Sequence, residues 1–321
     1  MARFPAAMLL SPGRYVNFSD CDAEVIQERS LLSYLSRRLD LPELAALART
    51  QPADSARDVI QWEIRRTFWQ LPAGAPEKFT PARHEWYGGM QWMIARYDPM
   101  DPRGLVLAAK GGHNEEMHNQ NDVGNIIVHV NGESLIADVG RGRYTKDYFR
   151  EKRYEYFVNS SLGHSVPVPN GRLQHNGQEF TAQLIEHRAG DSEDLLHIEM
   201  KDAYPAEADL ESLQRRVTLH REALRGWVEI EDRFRFAGGP GSFESALTTF
   251  GQVEIGESAL VIRGWQGKLR VGFDPNLVSV RVDLHQGIDM SHGAVDVRRI
   301  VFSLQQPVQQ GYVRLEIEPV V

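Results

Sequence analysis

From about residue 84 onward, short apolar segments alternate with Gly, Asn and Pro, and this pattern constrains the fold more than any other feature of the sequence. Residues 124–130 and 133–138 form two such segments, and Asn131-Gly132 between them is a dipeptide typical of a β-hairpin. Further candidate strands are residues 180–187, 195–201, 216–220, 226–236, 246–250, 259–263, 269–272, 278–284, 300–304 and 313–318. Strands that follow one another so closely favour antiparallel sheets over βαβ units. The sequence therefore predicts a mainly β chain built around an antiparallel sandwich.

The N-terminal part has the periodicity of helices, over residues 21–71. Apolar residues recur every four positions in two of its segments: Leu31, Leu35 and Leu39 in the first, and Ile60, Ile64 and Phe68 in the second. Between them, residues 43–49 follow Pro42, which suits the first turn of a helix. A Pro-rich stretch, 72–81, has the composition of a linker. We therefore divide the chain into a helical segment, residues 1–82, and a β-sandwich, residues 83–321.

Composition excludes several classes of function. No apolar run reaches about 18 residues, so we expect no membrane-spanning helix. The net charge of −8 makes the chain a poor candidate for binding nucleic acid, because such binding depends on Lys and Arg neutralising phosphates. The single cysteine, Cys21, excludes an internal disulfide or a thiolate metal cluster. Pro5 interrupts the short apolar stretch at the start, so we also expect no signal peptide in this chain.

Polar residues crowd together just before the predicted hairpin. The members of this group are His113, Asn114, Glu115, His118, Asn119, Gln120, Asn121 and Asp122. Such side chains are costly to bury and make poor strand interiors. We therefore expect them to line a loop on a rigid β scaffold, which is a common way to build a functional site.

Five motifs follow one another in a fixed order across residues 118–171. They are HNQNDVGN at 118–125, DVGRGRYT at 138–145, RYE at 153–155, a histidine at 164 and PVPNG at 167–171. Together they resemble the motifs of the heparinase II/III-like family of polysaccharide lyases. The resemblance continues more loosely to the C-terminus, and it includes VNFSD at 16–20, which is similar to a segment near the end of the family's helical domain. It implies an (α/α) toroid followed by an antiparallel β super-sandwich, with the active site between them.

The resemblance also implies the reaction, which is β-elimination at a uronic acid. A base removes the C5 proton, a polar group neutralises the carboxylate, and an acid protonates the departing O4; His or Tyr can transfer these protons. His118 matches the first histidine of the family's HNHND-like motif, a catalytic or substrate-neutralising position. Tyr144 or Tyr154 matches the family's sandwich-side tyrosine, and the spacing does not choose between them.

A structural metal, usually zinc, is a further implication of the family. Asp138 and His164 match two of its ligands. The third should be a histidine at the position where this chain has Gln120, and an amide is a weak zinc ligand. The alternative is that Gln120 replaces the metal with a hydrogen-bonded bridge between Asp138 and His164.

The residues that we expect to bind substrate are His113, Asn119, Gln120, Arg141, Arg143 and Arg153. The arginines belong to the densest basic run of an acidic chain, residues 141–153. A guanidinium can pair with a carboxylate through two hydrogen bonds, so this run suits a uronate. The alternative is a solvated loop. The acidic composition argues against a heavily sulfated substrate.

The family's catalytic Asn and Tyr lie upstream of the VNFSD-like segment. Only residues 1–15 precede that segment here, so we expect residues 1–82 to be the end of a toroid and those two catalytic residues to be absent from this chain. The chain would then be the C-terminal portion of a lyase, or another chain would supply the missing residues. The ligand that we expect is a uronic-acid oligosaccharide or polysaccharide, and a homodimer is kept as an option. We expect a soluble bacterial protein; family members are often periplasmic or secreted, and the compartment stays open.

Two other functions remain open at this point. The first is a non-catalytic carbohydrate-binding or scaffold fragment, because the toroid is missing and position 120 is Gln. The second is a metal-dependent β-sandwich enzyme of another class, in which His118, Asp138 and His164 form a set of two histidines and one carboxylate.

Overall fold

The computed structural model of the chain describes residues 1–52, 60–69 and 78–320. Its helices are α1 (Phe4–Ala7), α2 (Arg29–Leu39), α3 (Pro42–Thr50) and α4 (Ile60–Trp69). Its strands are β1 (Leu9–Ser11), β2 (Arg14–Tyr15), β3 (His84–Tyr87), β4 (Trp92–Arg96), β5 (Val106–Lys110), β6 (His113–Asn114), β7 (Ile126–Val130), β8 (Glu133–Ile136), β9 (Val168–Pro169), β10 (Gly177–Thr181), β11 (Gln183–Ala189), β12 (Glu193–Glu199), β13 (Leu210–His220), β14 (Trp227–Phe236), β15 (Phe243–Thr249), β16 (Gln252–Ile255), β17 (Ala259–Arg263), β18 (Lys268–Gly272), β19 (Val278–Met290), β20 (Gly293–Leu304) and β21 (Gln310–Pro319). None of the described helices has the length and apolar character needed to cross a bilayer.

Three antiparallel sheets form the body of the protein, which confirms the predicted mainly β, sandwich-like fold. An eight-stranded sheet has the order β11-β12-β13-β14-β21-β18-β17-β16, a five-stranded sheet the order β3-β4-β5-β7-β8, and a four-stranded sheet the order β19-β20-β15-β9. One buried apolar cluster draws on all three: Leu107 and Val128 from the five-stranded sheet, Val217 and Leu315 from the eight-stranded sheet, and Phe302 from the four-stranded sheet. The sheets thus enclose a common core.

The five-stranded sheet is covered on both faces. Along β4, Met93 belongs to the sandwich core, whereas its neighbours Trp92 and Ile94 pack in a second cluster with Leu44 and Leu47 of α3. Because alternate side chains of a strand point to opposite faces, both sets must be apolar, and the strand reads as a continuous apolar run. The helical segment therefore shares a hydrophobic cluster with the first sheet, and the boundary between residues 82 and 83 stays a prediction.

The turns that separate the strands follow the sequence closely. Asn131 and Gly132 both have positive φ, 54° and 87°, as the type I′ turn of a two-residue hairpin requires, and they join β7 to β8. The predicted strand 180–187 is in fact two strands, since β10 ends at Thr181 and β11 begins at Gln183 in a different sheet. The break lies at Ala182, whose N–H bonds to the carbonyl of Gly112.

The predicted helices are present, but their buried faces differ from the expected ones. In α2 the buried positions include Leu32 and Ser36, whereas Leu39 is 49% exposed. In α4 the regular apolar positions Ile60 and Phe68 are 78% and 76% exposed. Helical spacing shows which residues share a face, but the packing of neighbouring elements decides whether that face is buried.

Candidate active site

The polar segment before β7 forms a loop, as expected, but it is largely buried although such side chains are costly to bury. Its members with less than a tenth of their surface exposed are Asn114, Asn119, Gln120, Asn121, Asp122 and Asn125. Each of these side chains hydrogen-bonds within the protein; the amide of Asn114, for example, donates to Gln174 and to the carbonyl of His175. Buried polar groups are tolerated when they are paired in this way. The segment is therefore an internal framework, from which the His118 ring projects to the surface.

The carboxylate of Asp20 lies at the centre of this framework, and its side chain has no exposed surface. It accepts hydrogen bonds from the Tyr148 hydroxyl at 2.7 Å, from Nη2 of Arg153 at 2.9 Å and from Nε2 of Gln120 at 3.2 Å. Burial raises the pKa of Tyr148, and the hydrogen bond to Asp20 raises it further. The sequence pointed to Asp20 only through the VNFSD segment, and nothing in it pointed to Tyr148.

His118 lies beside Asp20, and its side chain is about half exposed. Its Nδ1 is 3.4 Å from Oδ2 of Asp20. His118 and Ser19 both have positive φ, 61° and 66°, and the N–H of Asp20 bonds to the carbonyl of His118. Non-glycine residues in this conformation carry strain, which often marks functional positions. Two strained loops that are distant in sequence thus hold the His118 ring against Asp20.

The structure separates the two candidate tyrosines. The Tyr144 ring lies nearly parallel to the His118 ring, with centroids 6.5 Å apart, and its hydroxyl is 3.4 Å from Oδ2 of Asp20. Burial raises the pKa of Tyr144, and the nearby Asp20 charge adds to that effect. Tyr154 instead donates its hydroxyl to Oδ1 of Asn119 at 2.9 Å. Tyr144 is therefore the tyrosine that shares a surface with His118.

The arginines of the basic run have different environments. Arg153 is buried, and its guanidinium bonds to Asp20 and to the carbonyls of Asn119 and Tyr148, so it supports the framework. Its expected role in binding stays a prediction. Arg141 is about one third exposed and pairs with Asp22 at 2.7 Å.

Arg143 is the most accessible of the three arginines that we expected to bind substrate. Its side chain is 70% exposed, and its nearest ion-pair partner, Asp289, is 4.0 Å away. Of these three guanidinium groups, it is the one that a carboxylate from solvent could reach most easily.

The other expected substrate-binding residues differ in their exposure. Gln120 is fully buried, and Asn119 is 7% exposed, with its amide donating to the carbonyl of Asn114 at 2.7 Å. Both belong to the framework because their amide N–H groups donate inside the protein, although Oε1 of Gln120 has no partner among the described residues. His113 is partly exposed, and its Nδ1 accepts the N–H of Glu115 at 3.1 Å.

A second cluster lies deeper and consists of Asp122, Asp138 and His164. All three are buried, and one ligand atom from each lies within 4.8 Å of the others. Lys110, itself buried, places its ammonium 2.7 Å from Asp122. Burial lowers the pKa of His164, but the charge and hydrogen bond of Asp138 and the charge of Asp122 together outweigh this effect, so the pKa is raised overall.

The residues present do not fit the implied zinc site. The amide of Asn125 donates to Oδ2 of Asp138 at 2.8 Å and lies 3.3 Å from Nδ1 of His164, so it stands between two of the atoms that would ligate the ion. Oδ1 of Asp138 accepts the N–H of Gly140, and the Lys110 ammonium already neutralises Asp122. Apart from Oδ2 of Asp122, which is buried without a hydrogen-bond partner in the described parts of the chain, the donor atoms of this cluster are engaged within the protein.

This cluster also overturns two expectations about its members. Asn125 and not Gln120 joins Asp138 to His164, because the Gln120 amide bonds to Asp20 and to the carbonyl of Gly140. His118 faces Asp20, and the described residues group Asp138 and His164 with Asp122. The set of His118, Asp138 and His164 is therefore not formed. The sequence did not predict that Asn125 and Lys110 belong to this cluster. For Lys110 the available signal was its position at the end of an apolar run.

No protein-family model matches the sequence, and no curated protein matches it. Solved structures do match: heparan sulfate lyase HepC from Pedobacter heparinus aligns with a TM-score of 0.71 and 13% identity over 98% of this chain and 45% of that chain. A heparinase III structure aligns with a TM-score of 0.73 and 14% identity over 100% of this chain and 46% of that chain. The chain has the heparinase III fold.

A further heparinase III structure matches with a TM-score of 0.72 and 12% identity, over 99% of this chain and 48% of that chain. The chain thus spans slightly less than half the length of each of these lyases. This agrees with the expectation that it corresponds to a portion of a heparinase II/III-like protein. At such low identity the likeness shows the fold, and residue roles must be argued from the site itself.

Proposed function

We propose that this chain is a polysaccharide lyase, or the C-terminal portion of one, that cleaves a uronic-acid-containing glycan by β-elimination. The observation that carries the proposal is the exposed pair of His118 and Tyr144, both of which border the buried Asp20 carboxylate. The solved structures with this fold include a heparan sulfate lyase, which supports a glycosaminoglycan or related substrate.

In the proposed reaction, His118 removes the proton from C5 of the uronate. Nδ1 faces Asp20, so in the neutral ring it carries the proton, and Nε2 is the atom free to accept another. A carboxylate that faces the far nitrogen stabilises the imidazolium that forms, which is the role of the acid in other His–Asp pairs.

Tyr144 supplies the second proton transfer. The electrons of the broken C5–H bond form the C4=C5 double bond, the C4–O4 bond breaks, and O4 takes the proton of the phenol. An ordinary phenol is already protonated at neutral pH, and the pKa of Tyr144 is raised, so this group holds the proton that an acid donates. Arg143 is accessible for pairing with the uronate carboxylate, which lowers the cost of the negative charge that develops at C5.

The test is the ultraviolet absorbance of the unsaturated uronate product. The purified chain is incubated with heparan sulfate, unsulfated heparosan, alginate and, as a control without uronate, dextran. We expect product from at least one uronate polysaccharide and none from dextran. Absence of product from every uronate polysaccharide would contradict a catalytic role for this chain.

A non-catalytic glycan-binding fragment is the second candidate. The observation in its favour is that the chain spans less than half of the lyases that share its fold. It predicts saturable binding of a uronate polysaccharide without product, and little change in affinity when His118 is replaced by Ala. The lyase proposal instead predicts that His118→Ala keeps binding but loses product.

A further inference from the structure

A cleft outside the His118 site is enclosed by the tip of the β17–β18 hairpin and the turn between β7 and β8. Its volume is about 480 Å³. Its lining includes Arg103, Asn131, Arg225, Trp265, Lys268 and Val320. None of these residues takes part in the framework around Asp20, so the cleft needs an explanation of its own.

Trp265 projects from the hairpin tip with 98% of its surface exposed. Glu133 fixes the backbone of the tip, because its carboxylate accepts the N–H groups of Trp265, Gln266 and Gly267 at 2.9, 2.6 and 2.5 Å. Gly264 permits this approach, since a Cβ there would collide with the Glu133 carboxylate. A large apolar side chain held on a rigid tip and left in water is typical of a binding surface.

Positive side chains outnumber negative ones around the cleft. Arg103, Arg225 and Lys268 line it, and the bordering Glu133 carboxylate is bound by the backbone N–H groups of the tip. None of the three lies within 4.0 Å of a carboxylate in the described parts of the chain, and the charge of Lys268 helps to lower the pKa of Glu254. In a chain of net charge −8, such a local excess of positive charge attracts anions.

We propose that this cleft is a secondary binding site for a segment of an anionic, uronate-bearing glycan. One sugar ring stacks on the indole of Trp265, and carboxylates of neighbouring sugars pair with Arg225 and Lys268. The substrate class rests on the proposed function, but binding here needs no catalysis. A polymer held at this cleft and at the His118 site at once is bound more tightly than by either alone.

The experiment measures the affinity of the chain for surface-immobilised alginate, an unsulfated polyuronate, with dextran as the neutral comparison. Trp265→Ala and Lys268→Gln are made separately. The matched controls are Tyr312→Ala and Arg235→Gln, which remove an exposed aromatic ring and an exposed positive charge from another surface. All four positions are exposed, and thermal unfolding checks that each variant folds.

We expect each cleft variant to bind alginate about tenfold more weakly than the wild type, with the controls within twofold of it. Equal affinity of wild type and Trp265→Ala would overturn the proposal, and so would equal binding of wild type to dextran. Product formation is measured separately on a short uronate oligosaccharide. A variant that loses polymer binding supports the cleft even if the wild type releases no product. If the wild type releases product but Trp265→Ala binds the polymer as tightly as the wild type, the cleft proposal is refuted and the proposed function is not.

Discussion

Replacing Asp20 by Asn removes a buried negative charge on which the framework of the candidate site depends. The carboxylate has no exposed surface and pairs with Arg153, whose side chain is 10% exposed. The variant keeps the shape of the side chain. It leaves the Arg153 guanidinium without its counter-charge and puts an amide next to the donors Tyr148 and Gln120. The loss of folding stability should therefore be large for a substitution that only replaces a carboxylate oxygen with an amide nitrogen.

The magnitude follows from the geometry of the pair. Breaking a buried ion pair by removing one partner costs about 3–5 kcal/mol. Arg153 keeps its hydrogen bonds to two backbone carbonyls, so we take the lower end, about 3 kcal/mol. A chain of 321 residues has an unfolding entropy of roughly 0.7 kcal/mol per kelvin, so the melting temperature should fall by roughly 4 to 5 °C.

Differential scanning calorimetry measures this shift, with Asp22→Asn as the matched control. Asp22 lies on the same segment and also pairs with an arginine, Arg141, but both side chains are partly exposed, 38% and 32%. An exposed pair is worth about 0–1 kcal/mol, so the melting temperature of the control should fall by roughly 1.5 °C or less. If Asp20→Asn melted no lower than Asp22→Asn, the central place given to Asp20 would be refuted.

Three further predictions concern stability. Burial lowers the pKa of His129 to about 3, so the folded protein resists protonation there while the unfolded chain does not. The free energy of unfolding should therefore fall by roughly 1.4 kcal/mol per pH unit below about pH 6.5. Chemical unfolding at several pH values should show a shallower fall for His129→Gln than for the wild type. A strong chelator should leave the melting temperature unchanged, because Asn125 and Lys110 engage the donors of the deeper cluster; a drop that added zinc reverses would contradict this. Asn125→Ala should cost about 2–4 kcal/mol in denaturant unfolding, since it leaves Asp138 and His164 buried without their bridge, and a loss below about 1 kcal/mol would count against the bridge.

The strands could be predicted from the sequence because period and turn chemistry are local properties. The predicted strand 259–263 coincides with β17, and the Asn131-Gly132 turn lies between the strands it was expected to join. β19 runs to Met290, well beyond the predicted end at 284, because it pairs along its length with β20 across a register shift that no local pattern reveals.

The buried polar residues of the site could not be predicted, because their partners are distant in sequence. Asp20 and Arg153 are separated by 133 positions, and each would be costly to bury without the other. The basic run at 141–153 therefore suggested an exposed surface throughout, whereas one of its arginines is internal. The exposed apolar face of α4 has the same origin, since spacing alone does not show what packs against Ile60 or Phe68.

The most direct test of the account compares initial rates of unsaturated-uronate release for the wild type, His118→Ala and His187→Ala on one uronate polysaccharide. His187 is a suitable control because its ring stacks on Trp86, a residue outside the candidate site. If His118 transfers the C5 proton, its loss should lower the rate by about 10²-fold or more, while His187→Ala stays within about twofold of the wild type. Equal rates for His118→Ala and the wild type would contradict the assignment of the active site.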